Sequence, residues 1–204
     1  MVDPQQVERS LRSVRQAHDV LAAFHREIIS LFQVVDDQLA EDGHGCKLTA
    51  FDAKNFVWTS TSSATRVQHW VPSYLGRLYY DEELDVPDGE PETLESRAAA
   101  LVAIYVPEGD ELAECWFGFG RPGEGTQYTD GWNFGRNGLW NYSGVDAPTQ
   151  NVWAHGTFAE NAKYGVDGVW RMRRTPLTTL TSEDAIREFV SMPLLQEWRS
   201  TLRT

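Results

Sequence analysis

The sequence predicts an α+β fold, with a long N-terminal helix and C-terminal helices packed on an antiparallel sheet. Three observations predict it. Apolar side chains recur in alternating steps of four and three from Val7 to Leu39. Two runs of strand-forming residues, 98–106 and 112–119, flank the turn Pro107-Glu108-Gly109-Asp110. The chain then closes with a capped segment of helical apolar spacing. All of 1–204 reads as a single domain, with the helix at 1–42, sheet-forming residues at 46–179 and C-terminal helices at 181–203.

Between Pro4 and Ala40 there is no glycine and no internal proline. Val7, Val14, Leu21, Ile28 and Val35 hold one position of the stripe, and Leu11, His18, His25, Phe32 and Leu39 hold the other. Residues three and four apart share a helix face, and Gly43 and Gly45 supply the stop. At ~1.5 Å per residue the stripe is roughly 50 Å long, against a radius of gyration of about 17 Å for a compact chain of this size. The helix therefore either spans the domain or projects from it.

Apolar residues on more than one face between Ile28 and Val35 point to packing on a sheet of the same chain. Val7, Leu11, Val14, His18, Leu21 and His25 form the candidate interface. Its β-branched residues, concentrated at one of the two positions, read as a two-stranded parallel coiled coil if the stripe pairs with a second copy. Burial of His18 and His25 would disfavour their charged forms and make such a seam pH-sensitive; the simpler expectation is that each bonds a local acceptor and fills space. Seven residues apart, about 10 Å along the axis, they do not form a metal site.

Past the glycines, 47–51 and 56–61 read as two short strands joined by Asp52-Ala53-Lys54-Asn55, the start of a meander. From Trp70 to Tyr80, the spacing of Trp70, Tyr74, Leu75 and Leu78 fits a helical face. Residues 81–95 carry eight acids and no base, broken by Pro87, Gly89 and Pro91, and read as a solvated loop. They lack the alternating register and closing glutamate of a calcium loop. Ala98 to Val106 is apolar on both faces, and Leu112 to Phe119 returns with Ala113, Cys115, Phe117 and Phe119 on one side. This hairpin is the predicted centre of a sheet of about five or six strands, and that side the predicted seat of the long helix. Asp167 to Arg174 reads as another strand, with Trp170 and Met172 facing one way and Arg171 and Arg173 the other. Thr181 or Ser182 caps a helix whose first turn holds Glu183 and Asp184, and Pro193 opens a last helix carrying Leu194, Leu195, Trp198 and Leu202.

Lys and Arg number 18 against 30 acids, a formal charge of −12 that opposes binding to phosphate backbones and anionic membranes. Neither nucleic acid nor membrane is an expected partner. Cys46 and Cys115 lack CxxC spacing and read as reduced thiols. No leader pattern and no run of 18 apolar residues occurs, so the expectation is a soluble cytoplasmic protein.

From Trp116 to Trp153 aromatic residues are interleaved with glycine and asparagine. Gly118-Phe119-Gly120-Arg121-Pro122-Gly123 matches a dinucleotide fingerprint by letter, but no helix start follows it, and no cofactor is expected. Tyr128, Trp132, Asn133, Asn137, Trp140, Tyr142 and Trp153 are the candidate ligand-binding residues, because flat rings beside amides stack on sugars, bases or a partner's side chains. The competing expectation is that these aromatics close a second small core. His155 with Glu160 or Asp167 is the candidate acid–base pair. No nucleophile elbow, HExxH, Walker loop or zinc-spaced cluster is present.

The leading expectation is a non-enzymatic binding or sensory module that recognises a protein partner or a small neutral ligand through the aromatic surface and self-associates through the N-terminal helix. The alternatives are a hydrolase acting on a sugar-like substrate through the His–carboxylate pair, and a structural subunit of a larger complex.

Overall fold

A computed structural model describes residues 4–41, 45–51, 57–58, 74–81, 84, 98–107, 111–127, 134–135, 138–139, 149–158 and 165–202. The long helix forms as its spacing predicts: α1 runs over Pro4–Ala40 without a break. Gly45 follows with φ +73°, the left-handed conformation that suits a residue without a Cβ.

Among the described residues seven strands follow. They are β1 (Leu48–Ala50), β2 (Val57–Trp58), β3 (Tyr74–Asp81), β4 (Ala99–Tyr105), β5 (Glu114–Pro122), β6 (Ala154–Thr157) and β7 (Gly168–Pro176). They form one antiparallel sheet in the order β1-β3-β4-β5-β7-β6, with β2 also paired to β3. The β4–β5 hairpin sits at the centre, as the two apolar runs predict, and Val102 pairs with Phe117.

Two expectations are corrected. The first two strands do not pair with each other; β1 lies along Tyr79–Asp81 and β2 along Leu75–Gly76, so both border the same strand. The segment expected to present a helical face is β3. Both of its faces are covered, with Tyr79 in the cluster beneath α1 and Leu78 in the cluster on the opposite side. A strand buried on both faces loses the period-2 signal, and leucines at 75 and 78 then mimic a helical spacing.

The sheet separates two cores. On one face Ile28, Phe32, Val35 and Leu39 of α1 join Cys115, Phe117 and Phe119 of β5. On the other, Trp116, Trp170 and Met172 join Phe134, Leu139, Phe158 and Val166. Glycines at 118 and 120 allow two close approaches: a Cβ at Gly118 would fall 2.0 Å from the Arg171 carbonyl oxygen of the neighbouring strand, and one at Gly120 would fall 3.0 Å from the rings of Phe134 and Phe158 in the second layer. The GxGxxG-like run thus forms the second half of β5 and the residue after it, where Gly118 and Gly120 serve packing.

After a short 3₁₀ turn (Leu177–Thr179), Ser182 caps the C-terminal helix and accepts the Ala185 N–H at 3.2 Å. That helix is continuous where two were expected. α2 (Glu183–Ile186) passes through a π-helical turn (Arg187–Ser191) into α3 (Met192–Leu202), and the Met192 N–H reaches back five residues to the Arg187 carbonyl. The wide turn lies just ahead of Pro193, whose missing N–H and bulky ring disfavour an unbroken α-helical ladder at that point. Trp198 is fully buried in the core beneath α1, edge-on to Phe119 with ring centroids 5.3 Å apart.

Candidate functional site

The structure divides α1 into two halves of opposite character. Ile28, Phe32, Val35 and Leu39 are at most 2% exposed, whereas every residue from Gln5 to Leu21 is exposed. In that outer half the same stripe stands in solvent: Val7 is 43% exposed, Leu11 64% and Val14 65%. The helix therefore projects from the domain. Its backbone needs no neighbour, since each N–H bonds four residues back, and Arg12 to Glu8 at 2.7 Å adds an i,i+4 pair. Contiguous apolar surface of this kind on a regular element is what protein-binding faces expose.

Of the two histidines on the seam, His18 is exposed, with Nδ1 3.7 Å from Asp19 Oδ1. His25 is half-buried beside the Phe24 ring, centroids 6.1 Å apart. Starting from Val7 the steps run four, then three, so in heptad terms the valines take the d positions and Leu11, His18 and His25 the a positions. The preference of β-branched a residues for two parallel strands therefore does not apply. Where the helix meets the domain, an open groove of about 310 Å³ runs between α1 and the 3₁₀ turn and α2, floored by Phe24, Leu31, Leu180 and Ile186 and edged by Glu27 and Glu183.

Three carboxylates, Asp81 and Glu114 buried and Asp36 half-buried, fix the domain's layers. Asp36 of α1 takes Arg77 Nη1 on one oxygen and the Tyr79 hydroxyl, at 2.9 Å, on the other, tying helix to sheet. Burial pushes the Asp36 carboxyl above its ordinary range against the opposing pull of Tyr79 and Arg77. Burial and the Asp36 charge likewise push the Tyr79 hydroxyl well up. Asp81, expected in a solvated loop, is 2% exposed at the end of β3 and accepts the Trp198 indole N–H at 3.0 Å. Glu114 binds Arg174 through both oxygens at 2.9 Å and also accepts the Trp116 indole at 3.0 Å. Beside the π-helical turn, Ser191 donates to Gln38 Oε1 at 2.8 Å while Gln38 Nε2 donates to the Glu183 carbonyl. Apart from the Trp116–Glu114 bond, between residues two apart on one strand, none of these contacts carries a local sequence signal, since each joins residues far apart in the chain.

Of the candidate acid–base residues, His155 and Asp167 are not brought together. His155 is exposed on edge strand β6 opposite Arg171. Asp167 stands four residues before Arg171, ~13 Å along the strand direction, and its carboxylate accepts the N–H groups of Gly125 and Gly168 at 3.0 and 2.8 Å. Asp167 thus holds the loop after β5. Glu160 lies outside the described residues. So do Tyr128, Trp132, Asn133, Asn137, Trp140 and Tyr142. Trp153, the remaining member of the candidate aromatic surface, is half-buried and packs edge-on against Phe117 at 5.7 Å and Phe119 at 6.4 Å.

Both cysteines are buried thiols, and burial raises the Cys115 thiol far above its ordinary range. Among the described residues no group of three or more His, Cys, Asp or Glu side chains is placed to hold a metal ion, and no helix is long and apolar enough to cross a membrane. No protein-family model matches the chain, and neither the curated proteins nor the solved structures yield a match.

Proposed function

We propose that this protein is a non-enzymatic interaction module that docks a protein partner through the projecting half of α1. The observation that carries the reading is the exposed stripe Val7–Leu11–Val14–Leu21 on a helix whose other half is locked into the core. A helix presenting anchors at i, i+4 and i+7 is the standard element of helix-in-groove and helix-to-helix recognition. Four of the described carboxylates fit a structural role: Asp36, Asp81, Glu114 and Asp167 each accept from arginine, indole, phenol or backbone N–H groups.

The test is the size of the native particle in extracts of the source cells, wild type against Leu11→Asp/Val14→Asp. Both positions are exposed, so the double variant should keep its melting temperature. The wild type should run as a larger assembly and the variant at the monomer mass. Equal sizes for the two proteins would remove the stripe from the function.

A further inference from the structure

We infer that the occupant of the α1 stripe is the same stripe of a second copy of this chain, running antiparallel. This deepens the interaction reading above by naming its partner. Four observations carry it: the length of the exposed stripe, the charges beside it, the contrast between helix and domain, and the point where the domain begins.

An antiparallel pair sets each a residue against a d residue of the other helix. Pairing Leu11 with Val14 of the second copy also pairs Val7 with His18, and carries the overlap from residue 4 to residue 21. Those limits coincide with the exposed segment Gln5–Leu21. Every apolar side chain left in solvent on the stripe is then covered, and each helix tip ends where the other copy's domain starts. The overlap is ~27 Å long.

The flanking charges select the direction. Glu8 and Arg15 occupy e positions, while the g positions hold Ser10 and Ala17. In a parallel pair e faces g, which here brings no opposite charge into reach. In the antiparallel pair e faces e, and this register sets Glu8 of each helix beside Arg15 of the other, twice by symmetry.

Net charge points the same way. Residues 5–21 hold three arginines against two acids within a chain of formal charge −12. The acidic excess therefore resides in the domain. A parallel pair would set two acidic domains side by side, whereas the antiparallel pair holds them at opposite ends of the overlap, beyond a Debye length of about 10 Å at 0.1 M salt.

The test uses the full chain with single cysteines at Val7 and His18, both exposed, with Cys46 and Cys115 buried. In this register a mixture of Val7→Cys and His18→Cys proteins oxidises to a disulfide-linked pair, because facing a and d residues fall within disulfide range. Val7→Cys alone does not cross-link, its two copies being eleven residues, roughly 16 Å, apart along the axis.

Sedimentation of the purified wild type over a concentration series should show a monomer–dimer equilibrium. Arg15→Glu should weaken it at least about tenfold, and Glu8→Arg/Arg15→Glu should restore it. Self-cross-linking of Val7→Cys would overturn the antiparallel register. A purified protein that stays monomeric throughout would overturn self-pairing altogether; if the native extract still showed a larger assembly sensitive to Leu11→Asp/Val14→Asp, the interaction reading would survive with a different partner.

Discussion

Phe32 and Leu11 lie on one stripe of one helix, 21 residues or about six turns apart, and substituting each by alanine should give opposite results. Phe32 is fully buried among α1, the sheet and the C-terminal helix. Its replacement removes an aromatic ring from a packed site and leaves a cavity, a loss of about 3–5 kcal/mol. For a domain of 150–250 residues each kcal/mol lowers the melting temperature by roughly 2–4 °C, so the expected drop is roughly 6–20 °C.

Leu11 is 64% exposed, and leucine and alanine have similar helix propensities. Its replacement should change stability by no more than about 0.5 kcal/mol. The assay is urea unfolding followed by circular dichroism, at a protein concentration low enough to keep the chain monomeric, with the denaturant slope compared to confirm that the same surface unfolds. A Leu11→Ala variant destabilised as much as Phe32→Ala, independently of concentration, would refute the division of α1 into a free and an anchored half.

Three further outcomes are expected. Cys115→Asp puts a carboxylate at a fully buried site facing α1 and should abolish soluble expression, which an expression trial reads directly. Glu114→Gln removes the charge that Arg174 grips through both oxygens and should cost about 3 kcal/mol by denaturant unfolding, an unchanged midpoint arguing that the pair is dispensable. Asp36 has a folded-state pKa raised by burial, so the native state holds its proton more tightly than the unfolded chain does. Its contribution to stability should therefore fall as pH rises above the unfolded value of 3.8. The melting-temperature advantage of wild type over Asp36→Asn should shrink as pH increases through that window, and an advantage that grows with pH would reverse the assigned sign.

What could be read from the sequence was what is local. The heptad-like stripe, the β4–β5 hairpin, the Ser182 cap and the alternation of Trp170 and Met172 with Arg171 and Arg173 each rest on short-range spacing within one continuous stretch of chain, and each is found in the structure. The apolar breadth of the stripe between Ile28 and Val35 also marks the half that the domain covers. What escaped is non-local. The Asp36–Arg77, Asp36–Tyr79, Glu114–Arg174 and Trp198–Asp81 contacts join residues 41, 43, 60 and 117 positions apart, and no spacing rule foretells them. Cover on both faces of β3 erases its alternation, so the strand carries a helix-like spacing. The edge it shares with β1 and β2 depends on pairing that two short strands do not encode.

The π-helical turn makes the C-terminal helix a counting device. Ile186, Val190, Leu194 and Trp198 follow one another in three steps of four, yet all four are buried on one side. In a uniform α-helix twelve residues overshoot three full turns by about 120°, which would carry Trp198 off the face that Ile186 occupies. The wider turn at Arg187–Ser191 absorbs that excess. The turn thus houses one residue more than an α-helix joining the same two faces would need. Loss of a single codon between 187 and 191 would leave eleven steps of about 100° from Ile186 to Trp198, roughly 20° past three full turns, so the turn would close to ordinary α geometry with the Trp198 indole still directed at Asp81.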